Sequence, residues 1–144
     1  MRAIESKHMK VLAQVAKEAA KRAYAPYSKF RVGAALLGAS GEIYMGFNVE
    51  NVSYGLSMCA ERTAMYNALI SGEKSFLAIA IWTDSEKPVS PCGACRQVLV
   101  QFCGDIPVLL CAGRTGRTRR YTLGQLMPAA FFEFPGAGKR GKKP

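Results

Sequence analysis

The sequence predicts an α/β protein, a three-layer α/β/α sandwich built on a mixed sheet of about five strands. Three observations lead there. A helical stretch precedes two strand-like runs joined by a short glycine turn. From residue 59 onward, helical and strand-like segments alternate. One of those strand-like runs is apolar without interruption, which requires cover on both of its faces.

The elements come in chain order. Residues 9–24, MKVLAQVAKEAAKRAY, place Val11, Leu12, Val15, Ala16, Ala19 and Ala23 on one face, the apolar stripe of a surface helix. APYS (25–28) breaks it. FRVGAALL (30–37) and EIYMGFNV (42–49) read as strands, and the GASG between them as a hairpin turn. A helix over 59–71 carries Ala64, Met65, Ala68 and Leu69 at helical spacing and stops at Gly72. FLAIAIWT (76–83) is the continuous apolar strand. GACRQVLVQFC (93–103) is the next helix and IPVLLCA (106–112) the next strand. A strand at RRYT and a short helix at LGQLMP complete the ordered part. A hairpin followed by strand–helix–strand units makes the sheet mixed and places helices on both faces. Residues 1–135 are expected to form one catalytic domain, and 136–144, GAGKRGKKP, a basic disordered tail.

Composition agrees with one folded domain. The chain has 144 residues, 49% hydrophobic and 10% aromatic, enough for a single covered core. Its apolar runs are too short to span a bilayer, and MRAIESKHMK lacks the apolar stretch of a signal peptide. A cytoplasmic protein is expected. Five cysteines, an odd number without repeated spacing, suit that reducing compartment better than a disulfide frame. The net charge of +10 is unevenly spread, with RTGRTRR (114–120) and KRGKK (139–143) holding eight of the twenty Lys and Arg. No aromatic residue interleaves with those arginines before Tyr121. They read as a solvated loop and tail, and no nucleic-acid partner is expected.

The opening of the 59–71 helix, CAER, sets a thiol and a carboxylate on the first turn of a helix whose other face is apolar. PCGAC (91–95) begins the next helix with a C-x-x-C pair. Alone that pair fits a redox couple, half a zinc finger or coincidence. A thioredoxin-like reading fails, because the pair lies late in the chain and the second half of the chain lacks that fold's pattern. Cys103 lies two turns down the helix from Cys95, and Cys111 lies in an apolar strand, so both read as small buried hydrophobes. Cys59 is left as the third ligand beside Cys92 and Cys95. Three protein ligands leave one tetrahedral position open, as a catalytic zinc requires. Helix N-termini favour thiolate through the macrodipole and free N–H groups. Glu61, one turn in, is placed to handle the proton of an activated water. The single histidine, His8, precedes every motif and reads as a surface residue, which rules out histidine-based nucleophile systems and histidine-rich metal sites.

CAE followed by PCxxC resembles the signature of the zinc nucleoside and nucleobase deaminases, in the branch with three cysteines. APYSKFRVGAAL (25–36), GFNVENVSYG (46–55), CAERTA (59–64), SPCGACRQVL (90–99) and LMPAAF (126–131) narrow the resemblance to the small homotetrameric cytidine deaminases, over residues 9–132. The resemblance implies Zn²⁺ on Cys59, Cys92 and Cys95. It implies that Glu61 moves a proton from water to N3 and then to the ammonia leaving C4. It assigns Asn48 and Glu50 to the ribose 3′-hydroxyl, Phe30 to the pyrimidine ring and the Ala60 N–H to O2. Tyr54 and Phe131 resemble residues that complete a neighbouring subunit's site. Arg62 matches the family's donor to the sulfurs, which offsets the net negative charge of three thiolates on Zn²⁺, and Arg96 is a second candidate. A clamp on a free 3′-hydroxyl by Glu50 favours free nucleosides over a polynucleotide. Glu61 at its offset favours an enzyme over an inert zinc scaffold. Pyrimidine salvage is the expected setting.

Overall fold

A computed structural model describes residues 4–135, so the expected tail at 136–144 and its basic residues lie outside the described chain. The elements are α1 (Ser6–Ala20), β1 (Val32–Gly38), β2 (Ile43–Phe47), a 3₁₀ turn (Tyr54–Leu56), α2 (Ala60–Ile70), β3 (Phe76–Thr83), α3 (Gly93–Cys103), β4 (Pro107–Ala112), β5 (Thr118–Thr122) and α4 (Leu123–Leu126). The five strands lie in the order β2-β1-β3-β4-β5. Only β3 and β4 run parallel; the other three pairings are antiparallel. The expected mixed sheet with helices on both faces is therefore the observed one.

Strand alternation divides the core in two. Val32, Ala34, Leu36, Ile79, Ile81, Val108 and Leu110 face α2, α3 and α4. Ala35, Leu37, Ala78 and Ala80 face α1 through Met9, Leu12 and Ala16. Thus β3 is buried on both sides, as its unbroken apolar run requires.

One helix on each face approaches a glycine. A Cβ built on Gly33 would lie 1.9 Å from the Ala16 carbonyl oxygen, so α1 rests directly on the β1 backbone. A Cβ on Gly46 would lie 2.2 Å from the Ala60 oxygen and 2.3 Å from the Ala64 nitrogen, so α2 rests on β2 in the same way. The second approach fixes the first turn of α2, where Cys59 and Glu61 lie.

The first helix departs from expectation. It ends at Ala20, not residue 24, and its buried stripe is Met9, Leu12, Ala16, Ala19 and Ala20. Val11 is 46% exposed. Two tertiary demands explain this. Only alanines fit against the Gly33 backbone, which rotates Ala16 and Ala20 inward and Val11 outward. Past Ala20 the chain turns to bond the segment after β2: Tyr24 N–H donates to Asn48 O at 3.0 Å and Glu50 N–H to Tyr24 O at 2.8 Å.

The basic segment 114–120 forms the β4–β5 connection and the edge strand. Arg114 pairs with Asp84 at 3.0 Å, and Arg119 donates to the Tyr121 hydroxyl at 3.2 Å. Charged side chains on an edge strand discourage edge-to-edge association. Among the described residues no helix is long and apolar enough to cross a membrane.

Candidate active site

Two helix N-termini meet on the site face. Cys59 is the N-cap of α2 and Cys92 the N-cap of α3, with Cys95 on the first turn. Their sulfurs all lie within 4.8 Å of one another, and Cys59 Sγ is 3.8 Å from Cys92 Sγ. Metal–sulfur bonds of about 2.3 Å in a tetrahedron hold sulfurs about 3.8 Å apart, so the spacing fits zinc. Neither cap residue caps its helix with a side-chain hydrogen bond. Among the described residues this is the one group of His, Cys, Asp and Glu side chains close enough to hold a metal. Cys103 and Cys111 stand apart as read from the sequence, and burial pushes their thiols up to about 12 and about 11.

Charge at the cluster is arranged around Arg62. Residues three apart on a helix share a side, so Arg62 reaches back to Cys59, with Nη2 donating to Sγ at 3.5 Å. The Cys59 thiol is drawn down to about 5, first by its contact with Cys95 and, after the upward push of burial, by Arg62. Cys95 moves upward through that same sulfur contact and through burial. Arg62 Nε is buried without a hydrogen-bond partner, so the guanidinium sits against the sulfurs with part of its charge uncompensated by other groups.

Arg96 does not share that duty. Its Nε donates to Pro91 O at 2.8 Å and its Nη1 to Leu126 O at 2.6 Å. The residue after Cys95 is turned about 100° around the helix, which carries its fork away from the sulfurs and toward α4.

Glu61 is 5% exposed, and with Thr83 it is one of two buried polar side chains among the described residues. Its carboxylate lies 3.7 Å from Cys95 Sγ. Burial first, then the nearby Cys59, pushes its pKa up to about 7. A cavity of about 300 Å³ opens in front of it, lined among others by Phe30, Asn48, Glu50, Cys59, Ala60 and Cys92. With Glu61, seven of the expected residues thus meet around one space. As the first residue of α2, Ala60 has an N–H that the helix itself does not use.

The polar rim is tightly held. Asn48 Oδ1 accepts from Val32 N–H at 2.9 Å and its Nδ2 donates to Phe30 O at 2.7 Å, locking the side chain across the entry to β1. Glu50 accepts from the N–H groups of Tyr27 and Ser28 at 3.0 and 3.1 Å and from the Ser28 hydroxyl at 2.5 Å. The Ser28 contacts hold its carboxyl below the usual value. Glu50 itself is half-buried, so water still reaches its carboxylate.

Tyr54 is 76% exposed and lines a second, open cavity of about 360 Å³ with Tyr27, Ser28, Glu50 and Ser57. Phe131 is 57% exposed, packs edge-on to Phe134 at 5.6 Å and lines neither cavity of its own chain. Sequence reasoning missed Ser28, Ser57, Thr83 and Ser90 at these cavities. A usable signal existed for Thr83, which ends β3, because ligands gather at the carboxyl ends of strands in α/β sheets.

The chain resembles known proteins along most of its length. Residues 6–111 match the family profile of the cytidine and deoxycytidylate deaminase zinc-binding region. A cytidine deaminase of Sporosarcina psychrophila is 52% identical over 116 residues, which cover 80% of this chain and 85% of that one. A crystal structure of cytidine deaminase from Burkholderia pseudomallei superposes with a TM-score of 0.80 at 46% identity, over 85% of this chain and 98% of that one. Cytidine deaminase from Mycobacterium tuberculosis superposes with a TM-score of 0.74 at 41% identity, over 85% and 95%. With its paired helix-start cysteines and buried glutamate on the same fold, this chain belongs to the zinc-binding cytidine and deoxycytidylate deaminase family.

Proposed function

We propose that the chain hydrolyses cytidine and deoxycytidine to uridine and deoxyuridine with release of ammonia, using zinc held by Cys59, Cys92 and Cys95. The observation that carries this reading is Glu61, a buried carboxyl on the first turn of α2 that shares its cavity with Cys59 and Cys92. When bound, zinc supplies a Lewis acid that makes water nucleophilic at neutral pH.

The residues divide the remaining work. Glu61, lifted by burial toward neutrality, can both accept and donate a proton. It takes a proton from the attacking water and places it on N3. It then delivers the water's second proton to the amino group as the C4–N4 bond breaks and ammonia leaves. Water's oxygen remains as the new carbonyl, so no oxidant or reductant enters. The Ala60 N–H faces O2, Phe30 lies against the ring, and Asn48 and Glu50 take the ribose 3′-hydroxyl with the capacity their backbone bonds leave free. Arg62 keeps the sulfurs compensated.

The same reading makes the enzyme a homotetramer with shared sites, acting in the cytoplasm in pyrimidine salvage. Exposed Tyr54 and Phe131 support the shared sites, since clustered exposed aromatics mark interfaces. A chain of this size also leaves its nucleoside cavity open on one side, whereas ligand sites bury most of the ligand.

Side-by-side absorbance assays on cytidine, deoxycytidine, cytidine 3′-phosphate and a cytosine-containing single-stranded oligonucleotide test the proposal. Turnover of the two nucleosides alone is expected. Efficient deamination of the oligonucleotide, or no nucleoside turnover by zinc-loaded protein, would overturn it.

A further inference from the structure

Arg96 and Gln97 are adjacent on α3, and both donate to the C-terminal segment. Arg96 Nη1 bonds Leu126 O at 2.6 Å, and Gln97 Nε2 bonds Phe131 O at 2.5 Å. The strap between, residues 127–131, is therefore pinned at both ends by the helix that carries Cys95. Within the strap Ala129 has φ 52°, a left-handed conformation that a residue with a Cβ keeps only where its surroundings over-determine it. The other arm of the Arg96 guanidinium bonds Pro91 O at 2.8 Å, the carbonyl immediately before Cys92. Pro91 and Leu126 are both buried, so these charge-assisted bonds are shielded from water.

We propose that Arg96 is a positioning residue that serves two active sites at once: it fixes Cys92 in its own chain and aims Phe131 at the neighbour's nucleoside cavity. Two facts make the planar fork the right device. Its arms diverge, so one cation can satisfy two carbonyls on separate segments, and lysine, a point charge on a flexible stem, cannot hold both in one geometry. The strained strap then projects Phe131 outward, away from its own chain's cavities, with Phe134 against it. Binding in the neighbour gains from this because the ring is already ordered before the nucleoside arrives. The second half of the proposal rests on the shared-site reading above; the first half does not.

The test uses the full-length, zinc-loaded Arg96→Gln protein. Expected are release of zinc to a chelator about tenfold faster and a KM for cytidine about tenfold higher, each the scale of one lost charge-assisted hydrogen bond, with kcat within about twofold of the parent. Arg96→Lys, which retains the charge and so folds more readily, is expected to shift at least one of the two. Arg96→Gln is then assembled with excess Glu61→Gln, whose strap is intact. The working sites now sit on Arg96→Gln chains beside normal straps, and KM should return toward the parent value while chelation of the Arg96→Gln chains stays fast. Parental chelation rate and KM in both variants would overturn the proposal. Fast chelation with a KM that the excess partner fails to restore would overturn the shared-site reading and with it the reach to the neighbour.

Discussion

The two faces of the sheet are built by the same device and put to different uses. On each, a helix lies so close to a strand that only glycine fits: α1 on Gly33, α2 on Gly46. On the α1 face the buried side chains of the described residues are apolar, Met9, Leu12, alanines and strand residues. On the α2 face the same closeness buries Glu61 and brings two helix N-termini together over three sulfurs. Close packing alone therefore does not mark function. What distinguishes the site face is polar groups kept where burial costs several kcal/mol unless something compensates it.

The largest break in this comparison comes from the buried acid. Glu61→Gln preserves shape, so zinc content and nucleoside binding should persist while turnover falls by about four orders of magnitude, since one group serves more than one proton transfer. Retention of more than about a tenth of the activity would remove Glu61 from the mechanism.

The glycines sharpen the contrast. Gly33→Ala and Gly46→Ala each force a methyl into backbone and should cost about 3 kcal/mol, the upper range for overpacking, in denaturant unfolding. They should differ in function. At a temperature where both variants are folded, Gly46→Ala should lose zinc and activity, because it lifts the first turn of α2, whereas Gly33→Ala should keep both. Equal loss in the two variants would mean that the faces are not separable.

The legibility of the molecule obeys the same division. The clustering of the three cysteines with Glu61 could be read because their spacing is local: each lies within one turn of a helix start. The mixed sheet was readable from a hairpin followed by strand–helix–strand units, and the double burial of β3 from the unbroken apolar run at 76–83, whereas the order of the strands was not. What could not be read depends on contacts between distant segments. The rotation of α1 is set by Gly33 meeting Ala16, and its end by the bonds of Tyr24 to the segment after β2. Arg96 adjoins Cys95 in sequence, so it looked like a partner of the sulfurs, and only the position of α4 shows that its fork is used elsewhere. Likewise, Ser28 holds Glu50 across 22 residues.

A smaller effect separates the thiols. Burial keeps Cys103 near 12 and Cys111 near 11, so at pH 8 both remain protonated and slow to alkylate. With zinc removed, mass mapping should place the new adducts on Cys59 and Cys92 before either of these. Early labelling of Cys103 or Cys111 would show that the core opens more readily than its packing implies.

The claim that the site face carries a three-sulfur metal centre with one position free is tested most directly by X-ray absorption at the zinc edge of the purified protein. Three sulfurs at about 2.3 Å and one lighter atom at about 2.0 Å are expected. Four sulfurs, which would require Cys103 or Cys111, or a protein that holds no zinc, would contradict it.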